Sequence, residues 1–229
     1  MPVPTGRSDG APRTSRPRPI VMSSAGMVFV VDDDVSVREA LEAMIASTGR
    51  NVVAFESAAD FLAYPPASVP SCLVLDVSLP DLNGLDLQAR IAGDRVEMPI
   101  IFITGHGDVP MTVRAMKAGA AEFLTKPFDD RAMLDAIASA LERSREAIDE
   151  QAALQTLRER FESLSRRERQ VMAMVVTGLL NKQVGGRLGI SEITVKAHRG
   201  RVMQKMQAGS LAELVKLCGR LGVAQSIEP

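Results

Sequence analysis

The sequence predicts an α/β domain, a doubly wound five-stranded parallel sheet, followed by an all-α domain whose four helices form a helix-turn-helix. Three observations predict it. From Met27 to about residue 145, short apolar runs alternate with stretches of helical spacing, the pattern of a parallel sheet covered on both faces. Beyond residue 160 the apolar spacing is helical throughout, interrupted at Gly178, Gly189 and Gly209. Charge divides at the same place. Residues 27–145 hold ten Lys/Arg against eighteen Asp/Glu, and residues 160–229 hold twelve against five, although the whole chain has a net charge of −1. An acidic body joined to a basic end piece implies that only the end piece meets a polyanion.

Taken in order, residues 1–26 are rich in Arg, Pro and Ser and lack an apolar core, so they read as a disordered leader and not a secretory signal. Strand-like runs follow at 27–31, 52–55, 72–75, 100–103 and 122–124. They lack the polar alternation of a half-exposed strand, which places both of their faces inside. Helical spacing lies between them, as in Val37, Leu41, Met44 and Ile45, or Val113 and Met116. Residues 132–161 are helical and charged, without Gly or Pro, so the last helix of the first domain (27–145) should run into a helical linker (146–160). In the second domain (161–229), Ser165 and Glu168 have the spacing of a capping box. A helix through Val171, Met174 and Val175 follows, then a short one over 181–188. Ser191 is an N-cap for a long helix to Met206, and Gly209-Ser210 opens the last. The tight turn at Gly189-Ile190 defines the helix-turn-helix.

Several function classes lack support. No apolar run approaches the roughly 18 residues of a membrane span. Cys72 and Cys218 sit in apolar surroundings as free thiols, which suits a reducing cytoplasm. Two distant histidines and no CxxC leave no spacing for structural zinc. With no Trp and one tyrosine, Tyr64, the chain lacks the aromatic lining expected of a lactone-sensing pocket.

The chemistry lies at strand ends. Asp32, Asp33 and Asp34 follow the first strand, Asp76 ends the third, Thr104 ends the fourth, and Lys126-Pro127 follows the fifth. In a doubly wound sheet these loops converge on one edge. Clustered carboxylates repel one another unless a cation joins them. Oxygen-only donors with open positions suit Mg²⁺. A carboxylate beside such an ion can attack phosphorus, with Lys126 as a second cation and the Thr104 hydroxyl as a donor to a phosphoryl oxygen.

Val30-Val31-Asp32-Asp33-Asp34, Leu75-Asp76-Val77-Ser78-Leu79-Pro80, Thr104-Gly105-His106-Gly107-Asp108 and Lys126-Pro127-Phe128 together resemble the receiver domain of two-component response regulators, and the Thr104 segment resembles the FixJ branch. The resemblance implies that Asp76 is the phospho-acceptor, with a sensor histidine kinase as donor. It implies Mg²⁺ held by Asp32, Asp33, Asp76 and the Ser78 backbone carbonyl, Lys126 on the phosphoryl group, and Thr104 and Phe123 as a switch pair. His106 reads as a loop residue, Gly84 as a backbone conformer and Asp34 as a helix cap. A haloacid-dehalogenase-type phosphatase would want a second Asp where Ser78 stands.

Leu164-Ser165-Arg166-Arg167-Glu168, Asn181-Lys182 and Gly189-Ile190-Ser191-Glu192-Ile193-Thr194-Val195-Lys196-Ala197-His198-Arg199 resemble the LuxR-type helix-turn-helix of the FixJ/NarL family. The long helix should enter a major groove of promoter DNA. Lys182, Thr194, Lys196, Ala197, His198, Arg199 and Arg201 are the contact candidates, Gly200 leaves a gap, and Val195, Val202 and Met206 face the core. The family implies a phosphorylation-driven homodimer, RNA polymerase as a partner, and transcriptional regulation leaning toward activation, not metabolic catalysis. One departure stands out. Gly185-Gly186 lies inside the second helix, where each Gly costs roughly 0.5–1 kcal/mol relative to Ala. A softer reader domain is expected, firmed by DNA or dimerisation.

Overall fold

The computed structural model describes residues 26–91, 93, 98–105 and 109–222, so the leader (but for Gly26) and His106 lie outside it. The five strands are β1 (Met27–Val31), β2 (Asn51–Phe55), β3 (Ser71–Asp76), β4 (Ile100–Thr104) and β5 (Glu122–Thr125). All neighbours pair in parallel, in the order β2-β1-β3-β4-β5. Three of the five extend one residue beyond the apolar runs and β3 extends by one at each end, because ladder hydrogen bonding continues onto polar residues such as Asn51 and Thr104.

Strand order follows from composition. β1, β3 and β4 are buried along their whole length and occupy the centre, whereas β2 and β5 are only partly buried and form the edges. Alternate residues feed two cores. Phe29, Val31, Leu73, Leu75 and Phe102 pack with Phe61, Leu87 and Ile91 on the face covered by α2 (Ala58–Ala63), α3 (Gly84–Ile91) and α4 (Val109–Lys117). Val28, Val30, Cys72, Val74, Ile101 and Ile103 pack with Leu41, Ile45, Met133 and Ile137 beneath α1 (Val35–Ser47) and α5 (Asp130–Glu162). Val113 and Met116 depart from their expected spacing role: each is 44% exposed on α4, whose buried residue is Ala115. Both cysteines are buried and free, and burial pushes the Cys72 thiol up to about 12.

α5 runs unbroken for 33 residues, about 50 Å at 1.5 Å per residue. Its first half belongs to the sheet, where the Ser144 hydroxyl accepts from the Ser71 amide at 2.9 Å. Its far end belongs to the second domain, because Leu157 and Phe161 join the core formed by Leu164, Met172, Val202, Met206, Leu214 and Cys218. That domain comprises α6 (Arg166–Val176), α7 (Asn181–Leu188), α8 (Glu192–Met206) and α9 (Leu211–Arg220). The Ser165–Glu168 capping box forms at the start of α6, and Ser191 caps α8. Gly189 ends α7 with φ +65°, the left-handed conformation a non-glycine residue adopts with difficulty.

Gly185 corrects the expectation of softness. A Cβ built there would lie 2.7 Å from the Ile190 carbonyl oxygen, so this glycine lets α7 close onto the turn before α8. Gly186 faces open space, and the helix-propensity argument applies to it alone.

Candidate functional site

The sheet order reverses direction between β1 and β3, since the chain leaves β1 for β2 on one side and returns to β3 on the other. Open α/β sheets bind ligands outside the carboxyl ends of strands at such a point. Asp32 follows β1 there, and Asp76 is the last residue of β3. Asp33 joins them: one carboxylate oxygen from each of the three lies within 4.8 Å of the others. Asp32 and Asp76 are buried and Asp33 is exposed. An all-oxygen set with one side open to solvent fits Mg²⁺, which retains waters and dislikes complete cages.

Lys126 closes the pocket from β5. Its backbone amide donates to the Thr104 carbonyl at 2.7 Å, which carries the side chain back over the strand ends. Its ammonium then donates to Asp32 Oδ2 at 2.6 Å and Asp76 Oδ2 at 2.7 Å. Burial raises the proton affinity of Asp32 above the usual carboxylate range, a push that hydrogen bonds from Lys126 and Asp34 only partly offset. Burial would likewise strip Lys126 of its proton, yet its bonds to Asp32 and Asp76 outweigh this and leave it more basic than usual. The Lys126 ammonium thus bridges two of the three carboxylates of the pocket.

Smaller contacts set the geometry. Asp76 Oδ1 accepts from the Ser78 amide at 2.9 Å, and Asp32 Oδ1 accepts from the Asp34 amide at 2.9 Å. Asp34 does cap α1, accepting from the Ser36 amide. Arg38, which no sequence pattern singled out, donates to the Asp32 carbonyl at 2.7 Å. Gly84 plays a different part from the one expected. Its Cβ would sit 2.8 Å from the Asp76 carbonyl oxygen, so the need is close approach of α3 to the end of β3, not a special backbone conformation. Thr104 is fully buried at the end of β4. Phe123 is half-buried on β5 with its ring 6.3 Å from that of Phe102. Beside Lys126, a cavity of about 620 Å³ opens between α1 and the start of α5, lined by Val37, Leu41, Met44, Pro127 and Phe128.

The second candidate surface is α8. Val195, Val202 and Met206 are buried, as their spacing predicts. At about 100° per residue, Ala197 and Gly200 fall on the opposite side with Lys196 and Arg201 on its flanks, and all four are exposed. Thr194 is half-buried and its hydroxyl lies 2.8 Å from that of Ser191. Lys182 is exposed on the first turn of α7. His198 and Arg199 are placed less favourably for a groove. Arg199 reaches back to Asn181 Oδ1 at 3.4 Å, and His198 Nδ1 is buried.

An acidic pocket at the switch point of a doubly wound sheet, carried on the same chain as a basic helix-turn-helix, defines a receiver-controlled DNA-binding protein. Residues 28–138 match the response regulator receiver domain, and residues 162–218 match the luxR family of bacterial regulatory proteins. The chain is 52% identical to nodulation protein W of Bradyrhizobium diazoefficiens, over 88% of this chain and 89% of that protein. It is 44% identical to response regulator protein TodT of Pseudomonas putida, over 86% and 87%. Among solved structures it resembles response regulator StyR, with 47% identity and a TM-score of 0.76 over 86% of this chain and 99% of that one. Full-length FixJ from B. japonicum gives 42% identity and a TM-score of 0.53 over 86% and 98%. The protein belongs to the FixJ/NarL-type response regulators, and it is a transcriptional regulator, not a metabolic enzyme. Among the described residues, no helix is long and apolar enough to cross a membrane.

Proposed function

We propose that, in the cytoplasm, Asp76 accepts a phosphoryl group from a histidine on a sensor kinase, and that this modification controls promoter binding by α8. The observation that carries the reading is the Lys126 ammonium bridging Asp32 and Asp76 where the strand ends converge. Mg²⁺ held by Asp32, Asp33, Asp76 and the Ser78 carbonyl would supply the charge neutralisation that in-line phosphoryl transfer requires. Asp76 presents a carboxylate oxygen to phosphorus; the P–N bond breaks as the new P–O bond forms, and the departing imidazole takes up a proton. Lys126, already within hydrogen-bond reach of Asp76 Oδ2, shifts its contact to a phosphoryl oxygen. The apolar opening beside Lys126, between α1 and α5, provides a seat for the donor's helix.

The modification adds about −1.5 to −2 charges to a pocket with one fixed ammonium. Thr104 turns its hydroxyl toward the new oxygens, and Phe123 follows into the space beside Phe102. The face of α4, β5 and α5 changes with them. Val109, Val113 and Met116 stand exposed on α4, which suits a homodimer contact. Dimerisation, or release of the second domain, then presents two copies of α8 to a symmetric site, where Lys182, Lys196 and Arg201 contact DNA and RNA polymerase is recruited. The division into receiver (27–145), linker (146–160) and reader (161–229) fits this sequence of events. Incubation with Mg²⁺ and acetyl phosphate, read by intact mass, should add one phosphoryl group to the wild type and none to Asp76→Asn. Equal labelling of both would overturn the assignment.

A further inference from the structure

Ile193 is 80% exposed, more than any other large apolar side chain among the described residues, and it stands on the first turn of α8. An isolated exposed aliphatic residue is ordinary on a protein surface. This one is not isolated in angle. Ala197 and Gly200 follow it by four and seven residues, which places the three on one stripe of the helix, opposite Val195, Val202 and Met206. The stripe is apolar and low along its centre, from Ile193 through Ala197 to Gly200, and it is flanked by Lys196 and Arg201. The core has no claim on Ile193, and a β-branched residue adds nothing to helix propensity there.

We propose that Ile193, with Ala197 behind it, is a sequence-specificity determinant that packs against the C5-methyl group of a thymine in the major groove. In that groove thymine alone among the unmodified bases presents a methyl group, and apolar side chains recognise it. The two flanking cations provide the phosphate attraction that brings such a strip into the groove. Glu192 lies 3.7 Å from Lys196 across an exposed ion pair, which a DNA phosphate would replace. The low profile at Ala197 and Gly200 lets the helix sink until the longer Ile193 side chain meets a base edge. This inference rests on the assignment of α8 as the recognition helix and names the base feature it reads.

The test uses the full-length protein treated with acetyl phosphate and Mg²⁺. Binding sites are first selected from a random pool of double-stranded DNA. Each thymine of the selected site is then replaced in turn by deoxyuridine, which deletes only the methyl group, and affinities are measured for wild type and Ile193→Ser. One thymine per half-site should respond: uracil there should weaken the wild type about fourfold, the value of one buried methyl, and leave Ile193→Ser unchanged. The two proteins should share the same dependence of affinity on salt, since their phosphate contacts are the same. A selected site at which every uracil replacement affects both proteins equally overturns the role of Ile193 but leaves α8 as the reader. Failure to select any sequence overturns both. Serine at so exposed a position leaves the thermal melt of the domain unchanged, so lost discrimination is separable from unfolding.

Discussion

Glu168 is a carboxylate almost withdrawn from solvent, and two donors keep it charged. Its Oε2 accepts from Lys205 at 2.7 Å and from the Ser165 amide at 2.8 Å. The Lys205 hydrogen bond, followed by that of Ser165, pulls its pKa from about 4.5 down to about 2. A depressed carboxylate stabilises the fold above its unfolded pKa and loses that contribution as pH falls toward the folded value. The second domain should therefore lose stability between about pH 4.5 and pH 2 through this residue, and thermal melts of Glu168→Gln should lack that part of the pH dependence. At neutral pH the variant should cost on the order of 2 kcal/mol, since the Ser165 amide and Lys205 both lose an ionised partner. Residue types at strand ends made the meeting of Asp32, Asp76 and Lys126 and the place of Thr104 legible in the sequence, because a doubly wound sheet gathers those ends at one edge. Side-chain direction was less legible. His198 and Arg199 sit in the reading helix by position, yet one buries a ring nitrogen and the other turns to Asn181, a partner 18 residues away.

Within elements, the strands and helices followed from apolar spacing and from capping residues, and every helix of the second domain starts within a residue or two of its expected place. Close approaches were not legible, because they depend on atoms from another segment. Gly84 and Gly185 both owe their identity to a carbonyl oxygen under 3 Å from where a Cβ would sit. The two glycines of α7 should consequently separate on substitution. Gly186→Ala should raise the urea midpoint by an amount equivalent to about 0.5–1 kcal/mol, from helix propensity alone. Gly185→Ala should lower it by about 1–3 kcal/mol, because the turn at Ile190 must move. Equal responses would remove the distinction. Lys196→Ala should weaken DNA binding in gel-shift titrations and reduce its salt slope, while labelling of Asp76 proceeds as in the wild type.

At the scale of the whole molecule, α5 is the part that belongs to both halves. Ser144 ties it to β3, Leu157 and Phe161 enter the core of the second domain, and Glu150 meets Arg220 of α9 at 2.6 Å. An acidic domain and a basic domain thus share one continuous helix of about 50 Å that packs into both. Composition alone showed the acidic and basic halves; that one helix serves both cores came only from the packing of Leu157. The most direct test of the account is a DNA titration against a selected site, with and without acetyl phosphate, for wild type and Asp76→Asn. The wild type should bind at least tenfold more tightly after phosphodonor treatment, while Asp76→Asn should keep one unstimulated affinity under both conditions. An equal phosphodonor-dependent gain in both proteins would contradict control through Asp76.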